Sequence, residues 1–188
     1  MQVGTEANPY TSKLVITLHG QKNDPAMPLY GNKVIGVRNG ILDMHGAPRS
    51  HSWTSLDVTA NAGENEITVQ GLVDWVAGEK IIIASTDFDM NQAEELTITA
   101  VSQGVGTTTI TLDANLQYEH IVSIETYGTE TVTIRGEVGL LSRNVVFRGD
   151  KDSAETQYGA TILLASDNGI PSVGRIENIE LYDVGQMG

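Results

Sequence analysis

One strand-ending phrase returns four times along this chain. Ile16-Thr17-Leu18-His19-Gly20, Leu42-Asp43-Met44-His45-Gly46, Val132-Thr133-Ile134-Arg135-Gly136 and Val145-Val146-Phe147-Arg148-Gly149 each alternate like a short strand and close on a basic residue and a glycine. A small domain has little reason to repeat a strand and its corner. A solenoid does, because each rung turns the same corner over the rung below. The repetition therefore predicts an all-β chain built on a right-handed parallel β-helix, with strands 14–18, 41–44, 132–135 and 145–148 running in parallel sheets.

Between the first and second pair of phrases the rhythm changes. Residues 1–54 hold rung-like strands at Leu14–Leu18, Val34–Val37 and Ile41–Met44, with a proline loop at Asp24-Pro25-Ala26-Met27-Pro28. Residues 55–127 read instead as short antiparallel strands: Ile67–Val69, Lys80–Ser85, Glu95–Ser102 and Thr108–Leu112. Gly104-Val105-Gly106 is the hairpin turn joining the last two. This stretch is expected to form a small antiparallel β-barrel, inserted in or adjoining the solenoid. Residues 128–188 resume the rungs. There Asn144-Val145-Val146-Phe147 and Asn178-Ile179-Glu180-Leu181 share a pattern, with asparagine suited to the left-handed bend between faces.

Composition excludes several functions. With 11 Lys and Arg against 24 Asp and Glu, the net charge is −13, so nucleic acid is not an expected partner. The chain has no cysteine, which rules out disulfides and thiolate chemistry. No apolar run approaches the length of a membrane span, so direct membrane insertion is not expected. The first ten residues have no apolar signal-peptide core, and no Asn-x-Ser/Thr sequon occurs.

Residues with chemical potential are few. His19 and His45 occupy the same place in the repeated phrase and could stack on adjacent rungs; since Arg135 and Arg148 fill that place elsewhere, it reads as an outward surface position. Asp87, Asp89, Glu94 and Glu95 form an acidic cluster, as do Asp150, Asp152 and Glu155. Calcium is conceivable for such clusters, but the EF-hand order is missing and both read as solvated loops. Trp53 and Trp75 have the faces to stack on sugar, although Trp75 precedes a strand and is expected in the core. Carboxylate pairs for glycosidic cleavage carry no weight among 24 acids. No catalytic, cofactor-binding or metal residues are assigned.

A family resemblance emerges from the residues in series. Gly4-Thr5-Glu6 followed by Ile16-Thr17-Leu18-His19-Gly20 resembles the end of an eight-glycine domain. Gly31-Asn32-Lys33, Leu42–Gly46 and Trp53-Thr54 resemble the segment that follows it. Glu137–Val145, Tyr158-Gly159 and Val173-Gly174-Arg175-Ile176 to Val184-Gly185-Gln186 resemble a parallel β-helix continuation. The series is similar to fibrocystin, the fibrocystin-like proteins and the hyaluronan-binding cell-migration proteins. The resemblance implies an internal, non-catalytic structural or adhesive piece of a larger exported protein. Its setting would be extracellular, at the cell surface or the ciliary membrane, with an extracellular protein or glycan as partner. The alternative implied is a fragment of a hyaluronan-binding or hyaluronan-degrading protein. As an uncapped solenoid piece, the segment alone is expected to associate end to end.

Overall fold

The computed structural model describes residues 1–187. It is all-β: the described helices are one 3-10 turn, Met90–Gln92, and one short α-helix, Ser153–Thr156. The chain forms two compact units. Residues 1–48 join the chain from Arg143 onward, and Arg49–Ser142 forms the other unit.

The first unit opens with β1 (Gln2–Val3), β2 (Leu14–Leu18), β3 (Val34–Arg38) and β4 (Ile41–His45). The second unit contributes β5 (Trp53–Ser55), β6 (Glu66–Gln70), β7 (Lys80–Ile83), β8 (Glu94–Gln103), β9 (Thr107–Leu112), β10 (Val122–Tyr127), β11 (Glu130–Arg135) and β12 (Glu137–Leu140). The chain then returns to the first unit with β13 (Val145–Gly149), β14 (Thr161–Ala165), β15 (Val173–Glu177) and β16 (Ile179–Tyr182).

Every strand pair in the first unit is parallel. The sheets run β1-β4-β15, β2-β13-β16 and β3-β14. In chain order, β1, β2 and β3 are paired to β4, β13 and β14, and β4 and β13 are paired in turn to β15 and β16. The third set is continued by a parallel bridge from Ala160 to Val184. Alternation puts like over like: Ile16 pairs with Phe147 and Phe147 with Leu181, while Val3 pairs with Met44 and Met44 with Ile176. Val3, Leu42, Met44, Val145, Phe147 and Ala160 form the buried core.

The corners depend on two residue types. The pairing of Val145 with Ile179 brings Asn144 and Asn178 to one position. Asn178 takes the left-handed backbone (φ +53°) expected of it. Asn144 works through its side chain instead: Nδ2 donates to the carbonyls of Tyr10 at 2.7 Å and Ser12 at 2.9 Å, and Oδ1 accepts from the Ala47 N–H at 2.8 Å. Gly46 is required by close approach, since a Cβ there would lie 2.1 Å from the Asn178 carbonyl oxygen.

The second unit is a curled antiparallel sheet in the order β5-β12-β7-β8-β9-β6. The chain just past β5 meets β6, the strand at the other edge, at a Leu56–Val69 bridge, supported by Asp57 N–H to Thr68 O at 2.8 Å. Leu56, Val69, Trp75, Ile81, Ile83, Ile98, Ile110 and Val138 are prominent in its core. β8 and β9 form the hairpin expected at Gly104-Val105-Gly106, closed by Gly104 N–H to Thr107 O at 2.8 Å.

The structure corrects three expectations. Val132–Arg135 lies in β11, which pairs antiparallel with β10 and is not a rung. Glu137–Leu140 is β12, antiparallel between β5 and β7, and not a β-helix strand; the antiparallel unit therefore spans 49–142 where 55–127 was expected. Period-2 alternation is common to both pairing modes, so the phrase alone does not distinguish them. Finally, the phrases are offset: Arg148 pairs with Thr17 and Gly149 with Leu18, while His45 belongs to a different sheet. His19 and His45 do not stack. Among the described residues no helix is long and apolar enough to cross a membrane.

Candidate functional site

The second unit carries a groove of about 460 Å³ on the outward face of β5, β12 and β7. Leu56 faces the core, so strand alternation turns Trp53 outward, where it is 59% exposed. Gly139 pairs with Trp53 on one side and Ile82 on the other. With no side chain at Gly139, a slot opens between the indole and Ile82. Glu137, two residues earlier on the same face, also lines the groove. The opposite wall is the loop from Ala84 to Ala93, which holds Phe88 and Met90 out in water.

That loop is ordered by its own hydrogen bonds. Ser85 Oγ donates to the Asp89 carbonyl at 2.8 Å, Asp87 Oδ1 accepts from the Phe88 N–H at 2.6 Å, and Asp89 Oδ1 accepts from the Asn91 N–H at 2.9 Å. The Ser85 hydroxyl proton goes to carbonyl oxygen, so this hydroxyl is engaged in ordering the loop.

The other acids expected in this loop have separate tasks. Glu95 pairs with Lys80 at 2.6 Å. Glu94 is buried, accepting from the Gln117 and Tyr118 N–H groups at 2.8 and 3.0 Å and facing His120 Nε2 at 3.0 Å. His120 is fully buried, with Nδ1 at 2.9 Å from the Ala84 carbonyl. Both ring nitrogens thus face acceptors, the Ala84 carbonyl and the Glu94 carboxylate. The expectation of a solvated cluster fails at Glu94 because its partners lie in segments remote in sequence. Trp75 is in the core, 2% exposed, and donates its indole N–H to the His51 carbonyl at 2.7 Å.

In the first unit, Asp150 is likewise no solvated-loop residue. Lys33, whose side chain is 1% exposed, donates to Asp150 Oδ1 at 2.9 Å, Ser153 Oγ at 2.8 Å and the Tyr158 carbonyl at 2.8 Å. All three ammonium protons are placed, so the Ser153–Lys33 contact is a structural latch and not an activated hydroxyl. The hydrogen bond from Lys33, joined by those from Ser153 and Gly20, holds the Asp150 carboxyl down to about 2. His19 lies 3.9 Å from Asp150 and is largely exposed. It borders a cleft of about 600 Å³ that also takes in Arg148, Lys151, Asp152 and Tyr182. Lys151 is paired with Asp152 at 2.5 Å, and Arg148 Nε donates to Thr17 Oγ1 at 3.1 Å. His45, expected at a surface position, is instead buried beside Glu177, 3.3 Å from its carboxylate, because its strand lies in the sheet between β1 and β15. Among the described residues no group of three or more His, Asp or Glu is placed to hold a metal ion.

Sequence reasoning named Trp53 without seeing its partners. Phe88 and Met90 went unremarked, although two large apolar residues inside the acidic run Asp87-Phe88-Asp89-Met90 are the available signal.

Residues 1–57 match the model of the G8 domain, which covers β1 to β5. Beyond those residues, the chain is similar in sequence to fibrocystin-L. The Mus musculus fibrocystin-L is 38% identical over 99% of this chain and 5% of that protein. Fibrocystin-L of Homo sapiens is 43% identical over 79% of this chain and 4% of its own length. Protein rliB of Dictyostelium discoideum is 29% identical over 98% of this chain and 15% of its length. The chain thus spans only a small share of each relative. Among solved structures, the match to the Gp54 tailspike of Acinetobacter baumannii bacteriophage AP22 covers 97% of this chain and 28% of the tailspike chain at 13% identity, with a TM-score of 0.35.

Proposed function

We propose that this chain is a non-catalytic structural and adhesive segment of a large extracellular or ciliary-surface protein of fibrocystin-like type. The strands stacked within each parallel sheet come from successive rungs of a right-handed β-helix. Residues 49–142 are a β-barrel-like module inserted between β4 and β13 of one rung. A single observation carries this reading: β2 and β13, separated in sequence by the whole second unit, pair in parallel over five consecutive residues. The setting is supported by the identity to fibrocystin-L along nearly the full chain. The adhesive role is supported by the open aromatic groove.

The test of the non-catalytic claim is incubation of the purified chain with hyaluronan and related glycans, with and without calcium, followed by counting of reducing ends. No new ends are expected in either condition. Depolymerisation that disappears on mutating one acidic pair overturns the claim and favours a hyaluronan-degrading parent.

A further inference from the structure

We infer that the Trp53 groove is a docking site for a protein segment that presents an arginine or lysine side chain flanked by apolar residues. The inference rests on the adhesive part of the proposed function and assigns that role a site and a ligand chemistry.

The first argument is shape. Trp53, Gly139 and Ile82 are register partners across three adjacent strands, so the empty glycine position is flanked by an aromatic wall and an aliphatic one. Ala84 and Ala93, both lining the groove, keep its floor low. A Cβ added at Gly139 would meet only Ile82 Cγ2, at 3.4 Å. Packing therefore does not demand glycine at this place. Across the slot, Phe88 and Met90 are presented to water by a loop whose hydrogen bonds hold it in place. Apolar groups displayed on ordered backbone form the kind of patch that a partner covers.

The second argument is charge. The ionisable residues lining the groove are Asp87 and Glu137, and no lysine or arginine is among them. The Asp87 carboxylate is taken up by the Phe88 N–H and the Gln92 amide. Glu137 is exposed, and its carboxylate has no hydrogen bond or ion pair among the described residues. A polyanion such as hyaluronan meets two like charges here in a chain of net charge −13. A hydroxyl-rich neutral sugar needs donors as well as acceptors. The lining supplies one free side-chain donor, the Trp53 indole N–H, because Ser85 already donates to backbone. A guanidinium or ammonium needs only acceptors and aromatic faces, and its methylene stem lies along apolar wall. Trp53, Phe88 and Glu137 supply those elements together.

The probe is a blocked pentapeptide alternating leucine with arginine, titrated into the full chain while the Trp53 indole N–H resonance is followed. Trp75 serves as the internal control, since its indole N–H is buried and bonded. The arginine peptide should move the Trp53 resonance. A leucine–glutamate peptide and a neutral hexasaccharide of N-acetylglucosamine should not. Glu137→Gln should weaken binding about fivefold. Gly139→Val should abolish it by filling the slot while leaving the melting temperature near that of the parent. If that valine lowers the melting temperature, the exposed Glu137→Gln decides alone. The inference is overturned if the oligosaccharide or the acidic peptide perturbs Trp53 at lower concentration than the arginine peptide. It is also overturned if no probe moves Trp53, or if Glu137→Gln binds like the parent. The hyaluronan assay is independent of all these outcomes.

Discussion

Lys33 carries a buried charge at a backbone φ of +52°, a conformation that lysine seldom takes, and Asp150 is what makes the burial tolerable. Asp150→Asn should cost about 3 kcal/mol, because it strands the ammonium. Lys33→Met should cost less, because it removes the charge instead of stranding it; urea melts of both variants give the order, and the reverse order would show that Lys33 is not the dependent partner. The pH dependence has a definite sign. The folded carboxyl is held at about 2 against an ordinary 3.8, so its stabilising share is fully present above that ordinary value and is lost as pH falls from 3.8 toward 2. Thermal melts between pH 5 and pH 2 should show this loss, and Asp150→Asn should flatten it. In the second unit, Glu94→Ala should cost about 3 kcal/mol by leaving His120 and two backbone N–H groups without their acceptor. None of these ties was legible in the sequence. Asp150 sits in a run of charges that reads as a solvated loop, and its partner is 117 residues away. Composition within a window is blind to such a partner.

At the scale of elements, much of the strand content could be read from alternation alone. The strands at 14–18, 34–38, 41–45 and 145–149 lie where the pattern puts them, and the first and last of these pair in parallel. The pattern failed on direction and register. Val132–Arg135 shows the same alternation yet folds back on Val122–Tyr127, because a hairpin partner lies just across the tight turn at Gly128. The shared basic residue and glycine suggested that His19 and His45 stack, whereas His45 belongs to a different sheet and Thr17 pairs with Arg148. Register is set by which side chains meet in the core, Ile16 beside Phe147, and not by the corner that follows. The corner asparagines were legible as a pair, but Asn144 acts by bonding three backbone groups. Asn144→Ala should therefore cost about 2 kcal/mol, more than a substitution that only relieves a strained φ. Chemical denaturation measures it, and a change below about 0.5 kcal/mol would mean that water replaces those bonds without penalty.

At the scale of the whole chain, the two compact units each enclose their own apolar core. The second unit's ends are tied together by the pairing of β5 with β12 and by Leu140 N–H to Ser52 O at 2.9 Å. Residues 49–142 expressed alone should accordingly give a cooperative melt. The central claim is that the chain on either side of these residues forms one parallel stack, in the register Thr17–Arg148. With no native cysteine, engineered pairs report on it cleanly. Adjacent strand partners lie within the roughly 4.4–6.8 Å Cα separation that a disulfide spans. Oxidation of the double variants Thr17→Cys/Arg148→Cys, Asp43→Cys/Arg175→Cys and His19→Cys/Arg148→Cys, read as intramolecular cross-linking by mass spectrometry, is the most direct measurement. The first two pairs should cross-link readily and the third should not, whereas preferential linkage of His19→Cys to Arg148→Cys would contradict the stacked register.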